Sequence, residues 1–361
     1  MPRTKISKDS FKGQSIYVGI DCHHKSWKVT LLTDKLELKT MSRDPDVNSL
    51  ADYLKNNYPG AEYKVVYESG FNGFTVCRKF RDLGIDCQVV HAMDVPTSHK
   101  DRQQKSDKSD SRKLAQLLRS NGFEGIDVPP PHIEVDRKIL RQHYTLTKML
   151  TAEKNRVKAV LFQFGIEIPG RFASSQSRSW SRIYIEWLRA VPGLDPKEQL
   201  TIDNHLDTGL LLRKQLLKVT RQIRDLSKED NYKEDYRNLS SIPGIGTLGA
   251  MRILLQIYNI ERFKTMDELC SYIGLMPKMY GSGERTVTGE LTKRGRKDIK
   301  VTLVEASWVA VRKDPALTLR FNKLILRMNK NKAIIRIAKN LLNRIKHMLT
   351  HKIEYELGIV V

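Results

Sequence analysis

Asp107 and Asp110 stand three residues apart in a stretch that reads Lys105-Ser-Asp-Lys-Ser-Asp-Ser-Arg-Lys-Leu-Ala-Gln-Leu-Leu118. On a helix that spacing puts both carboxylates on one face, roughly 5–6 Å apart at Cβ. Leu114, Leu117 and Leu118 follow at the offsets of an apolar stripe, so the helix docks through its later turns while its first turn stays open. Ser106 is a fitting N-cap, and acids in a first turn suit the helix dipole. Alone, therefore, the pair also reads as two solvated surface acids. Two more acids alter that reading: Asp21 closes the apolar run Ile16-Tyr-Val-Gly-Ile20, and Glu68 closes Tyr63–Tyr67. Carboxylates converging from separate elements repel one another unless cations sit between them. Hard oxygen ligands suit magnesium or manganese, and a pair of such ions forms a clamp for phosphodiester chemistry.

A candidate hydroxyl lies far downstream. Ser282 sits between Gly281 and Gly283, on backbone expected to be flexible and exposed, where serine is ordinarily a turn residue. Around it Arg285, Lys293, Arg294, Arg296 and Lys297 offer cations able to stabilise a phosphoryl transition state. Serine is a poor nucleophile without a base or metal. No histidine lies nearby in sequence, so activation is expected from the carboxylate–metal site or from another subunit. The Cys22-His23-His24 cluster lacks a second ligand pair and makes a weak zinc site.

The elements that must position these groups follow from periodicity. Strands are expected at Ser15–Ile20, Trp27–Leu32, Leu36–Met41, Tyr63–Tyr67 and Ile85–His91, with helices at Val47–Tyr58 and Phe74–Leu83. That order predicts an α/β domain with a mixed sheet over 15–128, after a basic arm at 1–14. Crevices at strand termini of such sheets are where sites form. The basic loop between Ala92 and Gln104 carries Lys100 and Arg102, which read either as a nucleic-acid contact or as a solvated connector. Pro129-Pro130-Pro131 ends the domain. Beyond it, apolar steps predict long basic helices over Val135–Phe164 and Leu206–Leu226, separated by a Ser/Arg-rich insert at Gly170–Ser181. This middle region, 132–232, reads as an antiparallel coiled coil or dimer contact, or as a plain intramolecular bundle. Residues 233–361 read as a mostly α C-terminal domain. Its Ile242-Pro-Gly244-Ile-Gly246 turn resembles a helix-hairpin-helix, whose glycines and following helix N-terminus approach a DNA phosphate.

Composition points the same way. The 361 residues carry 63 Lys plus Arg against 41 Asp plus Glu, a formal net charge of +22. So basic a chain expects a polyanionic partner, most simply nucleic acid. Neither a membrane span nor a signal-peptide core is evident, and the four cysteines are scattered, so a cytoplasmic protein with reduced thiols is expected.

The motifs Tyr-Val-Gly-Ile-Asp21, Val-Tyr-Glu68-Ser-Gly and Lys-Ser-Asp107-Lys-Ser-Asp110-Ser-Arg-Lys-Leu-Ala resemble a ribonuclease-H/RuvC-like domain of the DEDD type. In particular they resemble bacterial insertion-sequence transposases of the one-ten family, to which the Piv/MooV invertases are related. Ile-Pro-Gly-Ile-Gly, Tyr-Ile-Gly-Leu-Met-Pro, Gly-Ser282-Gly-Glu and Leu-Thr-Lys-Arg-Gly are similar to the family's C-terminal transposase domain. Many members have two serines before the glycine, where this chain has Gly281-Ser282. The resemblance implies that Asp21, Glu68, Asp107 and Asp110 bind magnesium or manganese, and that Ser282 is the nucleophile of a phosphoserine intermediate. It further implies donor and target DNA, a non-coding bridge RNA and a homo-oligomer, dimer or tetramer, as partners. The readings that compete with it are a RuvC-like junction nuclease and a non-catalytic nucleic-acid-binding protein.

Overall fold

The computed structural model describes residues 11–95, 107–173, 180–282, 285–292 and 294–358, without the side chains of 107–109, 173 and 279–288. The chain divides into two compact units, 1–129 and 130–361.

In the first unit, β1 (Ser15–Cys22), β2 (Trp27–Leu32) and β3 (Glu37–Arg43) form an antiparallel meander. After α1 (Val47–Asn57), β4 (Glu62–Glu68) returns parallel to β1, and after α2 (Thr75–Asp82), β5 (Asp86–Val90) lies parallel to β4. The sheet order is β3-β2-β1-β4-β5, the mixed sheet expected. Strand alternation sorts the side chains to two faces. Ile16, Val18, Ile20, Val65 and Tyr67 pack with Leu50 and Leu54 of α1 and Phe80 of α2. On the other face Val66 and Val90 meet Leu114, Leu117 and Leu118 of α3 (Asp107–Arg119). Of the basic arm, Phe11 packs edge-on against Tyr58, and residues 1–10 lie outside the described residues.

The second unit opens with α4 (Pro131–Gln163), a short helix α5 (Arg182–Leu188) and α6 (Pro196–Leu226). The two long helices run antiparallel within one chain. Val157 and Leu161, late in α4, pack with Ile202 and Leu206, early in α6. Leu140, Leu146 and Leu150 meet Leu212, Val219 and Ile223. That second core runs on without a break into Leu239, Ile253, Ile299 and Leu341, so the helical middle and the C-terminal region share one interior. Part of the Ser/Arg-rich insert, 174–179, lies outside the described residues; its start is a single helical turn, Gly170–Ala173. The rest comprises α7 (Lys233–Ser240), α8 (Thr247–Ile257), α9 (Met266–Ile273), the hairpin β6 (Pro277–Ser282) and β7 (Arg285–Leu291), and α10 (Lys297–Ala310). Two more helices, α11 (Pro315–Ile325) and α12 (Lys330–His351), complete it. Among the described residues no helix is long and apolar enough to cross a membrane.

Candidate functional site

Parallel pairing of β1 with β4 matches Ile20 to Tyr67, so the next residues, Asp21 and Glu68, stand side by side at the C-terminal ends of the two strands, where Asp21 still pairs with Lys28 of β2 and Glu68 with Val90 of β5. Neighbouring strands lie about 5 Å apart, which sets the spacing of the two acids' backbones. Helix α3 brings the other pair. Gly19, two residues before Asp21, faces α3 so closely that an added Cβ would lie 2.1 Å from the Ser111 carbonyl oxygen and 2.4 Å from the Ala115 nitrogen. Helix backbone therefore rests directly on strand backbone at this point. Farther along, the Arg119 guanidinium reaches the carbonyl oxygen of Thr33, beyond the end of β2 that is level with the start of β1. The helix thus runs antiparallel to β1, its N-terminus toward the strand's C-terminal end. From Ser111 back to Asp107 is about 6 Å of helix, and from Gly19 on to Asp21 about 6–7 Å of strand. The backbones of all four acids come level at one edge of the sheet.

The side chains are engaged locally. Asp21 Oδ2 lies 3.0 Å from His23 Nε2, and Asp110 Oδ1 lies 3.6 Å from Lys113 Nζ. Among the described residues no three acids, histidines or cysteines converge closely enough to hold an ion; the Asp107 carboxylate is outside that set. The donors fit a hard divalent cation chemically: carboxylates only, at adjacent termini, with the Asp21 and Asp110 side chains 22% and 28% exposed. At the neighbouring Cys22, burial pushes the thiol up to about 12. Gly19 carries no ligand atom of its own, yet a glycine inside a strand is itself a sign of close backbone approach.

Ser282 is placed otherwise than expected. Its backbone is not a flexible loop but the last position of β6, paired with Arg285 across the hairpin. β-Branched Thr286-Val287-Thr288 favours the extended partner strand. The hairpin is rooted where two glycine motifs meet. Gly274, with φ +83°, and Gly295, with φ +107°, approach so closely that a Cβ on Gly295 would lie 2.5 Å from the Gly274 nitrogen. Beside them the Thr292 N–H donates to Met276 O at 2.9 Å and the Arg296 N–H to Tyr272 O at 3.1 Å. Gly295→Ala is therefore expected to cost about 2–4 kcal/mol, from left-handed backbone and a backbone clash together, measured by denaturant unfolding. A loss below about 0.5 kcal/mol would mean that the junction yields freely.

The basic residues divide. Arg296 is turned inward, its Nε donating to the Tyr272 hydroxyl at 3.3 Å, while that hydroxyl donates to Gln256 O, next to the end of α8. Arg294 and Lys297 are exposed, and Arg285 opens β7. Lys100, Arg102 and Lys293 lie outside the described residues. In the turn between α7 and α8, Gly244 has φ +90° and a Cβ there would meet Val309 Cβ at 2.8 Å, so its glycine serves packing on α10. Gly246, the N-cap of α8, is exposed with open space before it, where a phosphate can approach.

Comparison with known proteins adds two family matches. Residues 18–166 match a model described as a transposase, DEDD_Tnp_IS110, and residues 236–322 match the model described as "Transposase IS116/IS110/IS902 family". The putative transposase y4qE of Sinorhizobium fredii is 26% identical over 242 residues, 67% of this chain and 57% of that protein. The chain thus spans somewhat over half the length of that relative. The transposase for insertion sequence element IS1111A of Coxiella burnetii is 24% identical over 78% of this chain and 76% of its own. The transposase for IS1533 of Leptospira borgpetersenii is 24% identical over 82% and 85%.

Proposed function

We propose that this chain, which models of the IS110/IS116/IS902 transposases match over 18–166 and 236–322, is a transposase of that family and cuts and rejoins DNA through a phosphoserine intermediate. In this reading 15–128 form a RuvC-like domain, 132–232 helical arms and 233–361 the domain carrying the nucleophile. Ser282 Oγ attacks a backbone phosphorus, its proton leaves to solvent or a base, and the bond from phosphorus to the 3′ oxygen breaks. One DNA end is then esterified to the serine, and the other carries a free 3′ hydroxyl that later reverses the step on a new partner. Asp21, Glu68, Asp107 and Asp110 would hold magnesium or manganese, which when bound polarises the phosphate and stabilises the leaving oxygen. Exposed Arg294 and Lys297, together with Arg285, supply charge toward the phosphate backbone.

A bridge RNA pairing with donor and target DNA belongs to the same reading. It is supported by a net charge of +22 on a chain with no evident groove-reading motif, since base pairing then carries sequence choice. Joining two duplexes calls for several protomers, with acids and serine drawn from different subunits. The observation that carries the reading is the register of β1 on β4 with α3 seated on Gly19, which levels four acids at one sheet edge. The test mixes the full chain with DNA bearing the element's ends in magnesium and stops the reaction in detergent. A covalent protein–DNA species and a free 3′ hydroxyl are expected, both lost with chelator, and a discrete ribonuclease-sensitive RNA is expected to co-purify. Cut DNA without the covalent species would establish the junction nuclease instead, and bound but uncut DNA a binding protein.

A further inference from the structure

The seat of the acidic helix is polar where it need not be. Gly19 pairs with Thr30 across β1 and β2, and Thr30 pairs with Thr40 across β2 and β3, so the three form one row across the sheet. Ser111 of α3 stands on that row. Its Oγ is 2.9 Å from Thr30 Oγ1, which is 2.9 Å from Thr40 Oγ1, and Thr30 and Ser111 are both 0% exposed. Apart from the backbone contact at Gly19 and a half-exposed ion pair from Arg112 to Glu37 at the start of β3, the contacts of α3 with the sheet are apolar, among Tyr17, Val66, Val90, Leu114, Leu117 and Leu118. Apolar surfaces tolerate sliding, whereas a buried hydroxyl pair loses its hydrogen bond on any shift and is left desolvated. A slip of one residue moves a helix about 1.5 Å and turns it about 100°. Asp110 is the next residue to Ser111, and Asp107 lies one turn before it, so such a slip displaces both acids relative to Asp21.

We propose that Thr30 and Ser111, backed by Thr40, are positioning residues that set the register of α3 on β1 and thereby the placement of Asp107 and Asp110 beside Asp21 and Glu68. The inference rests on the metal-site reading above and adds to it the residues that hold the ligands in place. Groups behind metal ligands typically change metal affinity about 10- to 100-fold when removed.

The experiment measures manganese binding to the full chain without DNA, by calorimetry, together with the melting temperature in chelator. Thr30→Val, which exchanges the hydroxyl for a methyl, is expected to weaken manganese binding about tenfold, while Thr30→Ser stays within about twofold of wild type. Should Thr30→Val fail to fold, Ser111→Ala removes the same bond from the helix side and carries the same expectation. A Thr30→Val protein that melts lower but binds manganese with unchanged affinity would overturn the proposal, leaving Thr30 a packing residue. Wild-type protein that binds no manganese would instead overturn the metal-site reading on which the proposal stands.

Discussion

Asp110→Asn is expected to slow strand cleavage in magnesium about a thousandfold, the rate equivalent of about 4 kcal/mol, while leaving the fold intact. The expectation follows from where Asp110 stands. It opens a helix whose backbone is seated on Gly19, it is 28% exposed, and its ion pair with Lys113 on the same helix is dispensable for packing. Thermal stability should move in a direction that separates a metal ligand from an ordinary surface acid. On the metal-site reading the acids repel without divalent ions, so the neutral amide should leave the melting temperature in chelator equal to or above that of wild type. Magnesium then stabilises wild type in proportion to its occupancy, because it binds the folded chain alone, and should stabilise the variant far less. Cleavage at the wild-type rate, or an equal magnesium-induced rise in melting temperature in both proteins, would remove Asp110 from the metal site.

How far such a site is legible in the sequence depends on which interactions are local. Strand alternation and the acids that close β1 and β4 are written residue by residue, because each element's period is set by its own backbone. The pairing that makes Asp21 and Glu68 neighbours is non-local, yet it follows once β4 returns parallel to β1. Contact between backbones is what periodicity does not show. Gly19 matters for what it lacks, and its place inside a strand hints at a close approach, but its partner Ser111 is 92 residues away and no local pattern names it. The same holds for Gly274 and Gly295, which stand in two separate motifs and whose backbones meet at the root of the hairpin. The start of α6 is local, but its signal is a cap and not a stripe: Asp195 and Glu198 form a capping box, with Pro196 at the first helical position, ahead of the apolar pattern that begins later. Around Ser282 the flanking glycines suggest a loop, whereas cross-strand pairing with Arg285 makes it a hairpin end, a preference that glycine masks and the neighbouring β-branched residues reveal.

That hairpin position is why Ser282→Ala is expected to have the larger and more diagnostic effect. The substitution removes one oxygen from the terminal residue of a two-stranded ribbon, where alanine leaves the backbone pairing with Arg285 intact. Folding and DNA binding are therefore expected to stay within about threefold of wild type, since the phosphate contacts proposed above are made by basic groups and not by this hydroxyl. The covalent protein–DNA species should disappear altogether, because no other atom at this position can form the ester. Cleavage should fall with it by at least about a thousandfold, the usual scale for deleting a covalent nucleophile. Water cannot substitute silently: hydrolysis would leave a free 5′ phosphate, conserving no bond energy for rejoining, and end-labelled DNA distinguishes that product from a serine ester. If Ser282→Ala still cuts at the wild-type rate and yields free ends, the acids work with water and the chain is a nuclease. If it still forms the adduct, the nucleophile is another residue, and peptide mapping of the labelled species identifies which.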